Sequence, residues 1–188
     1  GPAIGGFMLQ FFGLHGAYLL GAFLFATAIL LIWHMPYRQT QTDGAAPKVL
    51  RNLVEGLRYA RSEPMVLGVL MITIIVNAFG FPFGNILPII GRDTLGLSAF
   101  PVGVLAASEG LGALLGAIGV GMAVRPSRYG KFFICGSFIF LMGIFCFSLS
   151  PYFSTSLVAL LIAGFGVAGF SSMQSTILLS VTPPEIRG

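Results

Sequence analysis

AFPVGVLAASEGLGALLGAIGVGMAV, residues 99–124, runs directly into RPSRYGK, residues 125–131. The first stretch holds one ionisable residue, Glu109. As a helix rising 1.5 Å per residue it is long enough to cross the ~30 Å hydrocarbon core of a bilayer. The second stretch sets Arg125, Arg128 and Lys131 at its end. Working outward, the same unit recurs. Apolar runs cover 14–35, 64–90, 132–149 and 155–181, and a sixth run, 1–12, is too short to cross. Backbone in lipid must satisfy its own hydrogen bonds, which leaves helices or a closed barrel. Barrel strands are ~10 residues of strict alternation; these runs are about twice that and do not alternate. The predicted fold class is all-α, a polytopic helical membrane protein.

Charge orders the runs. Folded back and forth, the breaks at 36–63, 125–131 and 182–188 share one side. They hold Arg38, Lys48, Arg51, Arg58, Arg61, Arg125, Arg128, Lys131 and Arg187, nine of the ten basic residues. The opposite breaks, near 13, 91–98 and 150–154, hold only Arg92. The positive-inside rule makes the first set cytoplasmic. The chain is 56% hydrophobic and 9% charged, with a mean hydropathy of +0.93, where a soluble domain carries about 25% charged residues. The net charge of +4 is thus a membrane-topology signal rather than a nucleic-acid footprint, and no nucleic-acid partner is expected. Cys135 and Cys146 fall in one span about 16 Å apart, beyond disulfide reach, which suggests packing roles.

The chain divides into 1–35, 36–63 and 64–188. Run 1–12 reads as the outer end of one helix, Gly13 to His15 as a tight turn, and 14–35 as the return, with Trp33 and Tyr37 at an interfacial belt. In the long break, Pro47 opens a stripe of Val49, Leu50, Leu53, Val54 and Leu57 at helical spacing. This predicts an amphipathic helix on the inner leaflet. Pro82 and Pro88, with Gly80 and Gly84, predict a kinked or broken helix over 64–90. Gly112 and Gly116 form a GxxxG pair, and Gly1 and Gly5 form another; both predict close helix packing. The chain lacks an initiator Met and opens inside an apolar segment, as a fragment would.

Glu109 is the only acid deep inside a span. An intramembrane carboxylate is costly and leans functional, so it is the candidate for proton coupling, against the alternative of a structural clamp. Thr73, Asn77, Phe81 and Asn85 recur every four residues, and Ser171, Gln174 and Ser175 form a second polar stripe. Both stripes are expected to line a cavity for a small-molecule substrate, or to hydrogen-bond between helices. Gly164, Gly166 and Gly169 spell a literal GxGxxG, but it sits inside an apolar span without the preceding strand that a dinucleotide loop requires. His15 and His34 lie at opposite ends of one helix, so no metal site is expected. No cofactor and no enzyme chemistry are expected.

Several segments are similar to a known family. Gly1-Pro2-Ala3-Ile4-Gly5-Gly6 resembles the GPxxGG signature of helix five in major facilitator superfamily exporters. Runs 14–35 to 155–181 then resemble helices six to ten, and 36–63 the loop between the two halves. Residues 121–131 resemble the family's basic inter-helix motif, except that Val124 stands where an acid is expected. Residues 53–60, 109–116 and 182–188 are similar to the branch containing the enterobactin exporter and macrolide efflux proteins. The resemblance implies a partial major facilitator fold, a multi-pass protein of the bacterial inner membrane, in which two six-helix halves rock about a midplane site. It implies that Asn77, Phe81, Asn85, Ser171, Gln174 and Ser175 face substrate. It also implies that Gly1, Pro2, Gly5 and Gly6 meet the helix of Gly112 and Gly116 across the halves. The implied function is proton-coupled efflux of amphipathic molecules or drugs, or else siderophore export. The implied partners are protons, the lipid bilayer and the missing helices of the same polypeptide. A non-transporting membrane scaffold or sensor is the alternative of another class.

Overall fold

A computed structural model describes residues 1–34, 56–58, 60–123 and 128–181. The described residues contain helices and no strand. They are α1 (Pro2–Trp33), α2 (Pro64–Ile75), α3 (Phe83–Ile89), α4 (Ala99–Ala123), α5 (Tyr129–Ser148) and α6 (Phe153–Val181). Two π-helical turns, Val76–Gly80 and Ile90–Thr94, join α2 and α3 and extend α3. Counted with those turns, five segments are long and apolar enough to cross a membrane: Pro2–Trp33, Pro64–Thr94, Ala99–Met122, Tyr129–Ser148 and Phe153–Ser180.

The expected turn at residues 13–15 contracts to one residue. Gly13 alone leaves the helical region of α1, with φ 68° and ψ −171°, a conformation that a side chain would strain. A Cβ on Gly16 would collide with the Cβ of Phe12. In an unbroken helix, Cβ atoms four residues apart stay about 5–6 Å from each other. The chain therefore bends sharply at Gly13, and Leu14 and His15 already belong to the second helical arm.

The expected break in 64–90 takes the form of register shifts rather than a gap. Pro82 and Pro88 lack the amides that would bond the carbonyls four residues before them. Around them the backbone changes step. The Phe81 amide bonds the Val76 carbonyl at 3.2 Å, five residues back, while the Asn85 amide bonds the Pro82 carbonyl at 3.1 Å, three back. Exchanging α, π and 3₁₀ spacing keeps polar backbone paired inside lipid. Beyond α3, Leu95 bonds the Ile90 carbonyl and Leu97 the Gly91 carbonyl, and Gly96 at φ 63° turns the chain into α4.

The core is organised around α6, which packs along α4 on one side and α5 on the other. Glycine makes this possible on both faces. A Cβ on Gly116 would sit 2.7 Å from the Phe165 carbonyl oxygen, and one on Gly143 would sit 2.8 Å from Ala163 Cα. The GxGxxG of α6 divides between the two faces. Gly164 lies against the Glu109 carbonyl and Ala113 of α4, while Gly166 and Gly169 lie against Gly136 of α5. These glycines are packing surfaces between α6 and its two neighbours. Large side chains fill the space left over: Phe133, Phe140, Phe147, Leu105, Leu160 and Ile177 are fully buried.

Several expectations fall outside the described residues, namely the stretch from Pro47 to Glu55, Arg125 with its neighbours, and residues 182–188. Of the break at 36–63, residues 56–58 and 60–62 are helical, with Leu57 exposed and Ala60 buried. The cysteines are corrected: Cys135 and Cys146 are both exposed on α5, so neither packs inside the bundle.

Candidate functional site

The two polar stripes meet. Gln174 of α6 donates from Nε2 to Thr73 Oγ1 of α2 at 3.0 Å. One turn along, Asn77 donates from Nδ2 to the Thr73 carbonyl at 2.8 Å. Thr73 thus joins both amides, one through its hydroxyl and one through its backbone. Just beyond the π-turn, the Phe81 ring lies 5.9 Å from Phe140 and 6.3 Å from Phe170. Phe170 in turn stacks on Phe133 at 5.4 Å. Gly80 fits beneath this cluster because a Cβ there would lie 2.5 Å from the Phe140 ring. A polar junction and an aromatic cluster therefore sit side by side where α2, α5 and α6 converge. An amide pair beside rings can hydrogen-bond one end of a guest and stack against another.

Asn77, Asn85, Ser171 and Ser175 are exposed and Gln174 is half-buried. None of the six residues expected to face substrate lines a cavity of about 640 Å³ that opens between α1, α3 and α4. A smaller one, about 260 Å³, lies beside Ser172, Thr176 and Tyr129.

Glu109 sits mid-way along α4, half-buried, with its backbone against Gly164 of α6. No described residue hydrogen-bonds its carboxylate, unlike Ser108 beside it, whose hydroxyl bonds the Leu105 carbonyl at 2.6 Å. The clamp alternative requires a partner on a neighbouring helix, and the described helices supply none.

Of the residues expected at the glycine faces, Pro2 and Gly6 meet the expected helix, and the others do not pair as expected. α1 does pack on α4, but through Pro2 and Gly6 rather than Gly1 and Gly5. A Cβ on Gly6 would lie 2.6 Å from the Ala99 carbonyl oxygen and 3.0 Å from Gly103 Cα, while Gly1 and Gly5 have nothing within 4 Å. Gly112 and Gly116 face Leu161, Phe165 and Ala168 of α6, not α1. A GxxxG pair marks a face that permits close approach and carries no label for its partner.

The family model of the Major Facilitator Superfamily matches residues 1–188. The chain belongs to the Major Facilitator Superfamily. Curated relatives are proteins named Enterobactin exporter EntS. The one from Shigella flexneri is 26% identical over 100% of this chain and 43% of its own length. Those from Shigella dysenteriae serotype 1 and Escherichia coli O139:H28 are each 25% identical over 100% of this chain and 44% of theirs. The chain thus spans less than half the length of the curated relatives it matches. No solved structure matches it.

Two residues of this Major Facilitator Superfamily chain escaped the sequence reading. Gln10 is the one amide in run 1–12. Its Oε1 accepts from Ser98 Oγ at 3.0 Å and from the Phe100 amide at 2.9 Å, tying α1 to the first turn of α4. An edge contact between Phe7 and Phe100, 6.0 Å apart, supports the same junction. Arg92, read only as an outlier of charge, borders the cavity between α1, α3 and α4. A lone Gln in an apolar run was the available signal for the first. Nothing in the sequence marked the second.

Proposed function

We propose that the protein of which this chain is part is a secondary transporter that exports amphipathic organic molecules across a bacterial inner membrane by alternating access, coupled to protons. Family membership supports transport. The single observation that carries the reading further is the Thr73–Gln174–Asn77 junction beside the Phe81 cluster, a polar and aromatic surface inside membrane-spanning helices. The exposed neighbours Asn85, Ser171 and Ser175 extend that surface toward the helices that complete the longer protein. Residues 1–35 then close one half of the transporter, 36–63 link the halves, and 64–188 open the second.

Glu109 is the proposed proton carrier. It lies mid-span and is half-buried, and it has no partner among the described residues that would lock it in one protonation state. The test is proton-driven efflux in inverted vesicles. Glu109→Gln removes the titratable group and keeps the shape, so uphill efflux falls to the level of an uncoupler-treated control. Undiminished efflux by the variant rejects the assignment. Transport of any solute, abolished by an uncoupler, also separates this reading from a passive scaffold or sensor.

A second reading, siderophore export, is favoured by the relatives named Enterobactin exporter EntS. In a bacterium lacking its own siderophore exporter, expression of the whole protein restores siderophore to the medium, measured by mass spectrometry. Membrane expression without restoration assigns the cargo to other amphipaths.

A further inference from the structure

The cavity between α1, α3 and α4 is used by neither reading. It opens between the N-terminal arm of α1, α3 with its following π-turn, and the start of α4, at the end of the bundle that carries Gln10 and Ser98. Its volume is about 640 Å³, within the usual range of small-molecule sites. Leu9, Gly84, Pro88, Leu97 and Ala106 give it apolar walls, and Arg92 is the one charged residue lining it. The guanidinium has no ion pair or hydrogen bond to a described residue. Asp93 follows it on the same π-turn, exposed and outside the cavity lining. The N-terminal end of α4 borders the space as well, and its partial positive charge has the same sign as Arg92. Three contacts fix the helices that border the cavity. Gly6 and Gly103 press backbone on backbone, Gln10 ties α1 to α4, and Gly91 sits where a Cβ would lie 2.8 Å from Val102.

We propose that this cavity binds an amphipathic anion, with a carboxylate or phosphate head on Arg92 and an apolar body against Leu9, Leu97 and Pro88. Arg92 is itself exposed, so water solvates it when no guest is bound; an anion adds an ion pair there while its apolar body covers the walls, and a neutral or cationic guest gains only the second. The proposal rests on the transport reading only in making the bound molecule cargo. The same chemistry is presented by a free amphipathic acid and by the head of an anionic phospholipid.

The experiment uses the whole protein in phosphatidylcholine nanodiscs and two fluorescent probes, dansylated undecanoic acid and its methyl ester. The acid is expected to bind more tightly than the ester by roughly fivefold, the scale of a solvent-exposed ion pair. Arg92→Gln removes that preference and leaves ester binding in place, whereas Arg92→Lys retains most of it. Gly84→Phe puts a ring on the cavity wall, where a Cβ has room, and weakens both probes by about tenfold; thermal unfolding of the same preparation shows that the variant is folded. An unchanged acid preference in Arg92→Gln, or unchanged affinity in Gly84→Phe, overturns the proposal. Replacing the lipid by phosphatidylglycerol separates the sources. Displacement of the probe assigns the site to a lipid head, and unaltered binding assigns it to a free solute. Absent probe binding in a protein that still transports rejects this site alone; intact probe binding in a protein that transports nothing rejects the transport reading alone.

Discussion

Glu109 shows how much one residue in lipid can say. An acid in the middle of a membrane helix costs several kcal/mol unless it faces water, a partner or a proton. The described helices give Glu109 a packing neighbour, Gly164, and no hydrogen-bond donor. Its substitution by Gln is therefore expected to leave folding nearly intact while removing coupled efflux, read as thermal unfolding and transport on the same preparation. Thr73 and Gln174 lead to a different expectation. Their bond crosses between helices at 3.0 Å. Such pairs contribute about 0.6 kcal/mol on average in membranes, because the separated helices also find polar partners. A double-mutant cycle of Thr73→Val and Gln174→Leu should give a coupling energy of about that size in thermal or steric-trapping stability. A value above about 2 kcal/mol would make the pair a structural pin rather than an adaptable binding surface. At this scale Glu109, Gln174 and Asn77 were legible from sequence, since polar groups in apolar runs must be accounted for. Which atom each one bonds was not, because rotamers and helix rotation decide it.

Among the elements, α6 has the heaviest packing demands. Its glycines and those facing it bring backbones into contact on two sides, so added volume has nowhere to go. Gly166→Leu and Gly143→Leu are each expected to destabilise by at least about 3 kcal/mol, the upper range of overpacking costs, since backbone rather than flexible side chain stands in the way. Gly68→Leu serves as the comparison. Nothing lies within 4 Å of a Cβ there, and the same change should fall within about 0.5 kcal/mol of neutral. Equal losses in all three would mean that glycine acts through chain flexibility instead of close approach. The α2–α3 segment illustrates the opposite case. Its prolines announced a break, and the chain answers with π-turns that keep backbone groups paired. The form of the answer depends on the neighbours: Phe140 fills the space over Gly80, and Val102 that over Gly91. Thr73 and Phe81 both meet α6 across the π-turn at Val76–Gly80, Thr73 through Gln174 and Phe81 through Phe170, while Asn85 is exposed.

At the level of the whole molecule, the basic breaks predict orientation. With Cys135 and Cys146 replaced, a single cysteine at Tyr152 should react with a membrane-impermeant maleimide in intact cells, and one at Lys131 should react only after permeabilisation. Tyr152 is 68% exposed in the turn between α5 and α6, so reagent access is not limiting. The reverse pattern would invert the topology and place the Arg92 cavity on the cytoplasmic side.

The number of crossing segments, their helical nature and the sidedness of the charge follow from sequence alone. Each depends on length, hydropathy and the impossibility of unpaired backbone in lipid, which are properties of single segments. The central place of α6, the pairing of Gly6 with Gly103 and of Gly112 and Gly116 with Phe165, and the cavity beside Arg92 came only with the tertiary structure. Apolar helices in an apolar solvent gain little from burying one face rather than another. The choice among faces is therefore made by the fit of small residues and aromatic rings across several helices at once, and no single stretch of sequence contains that fit.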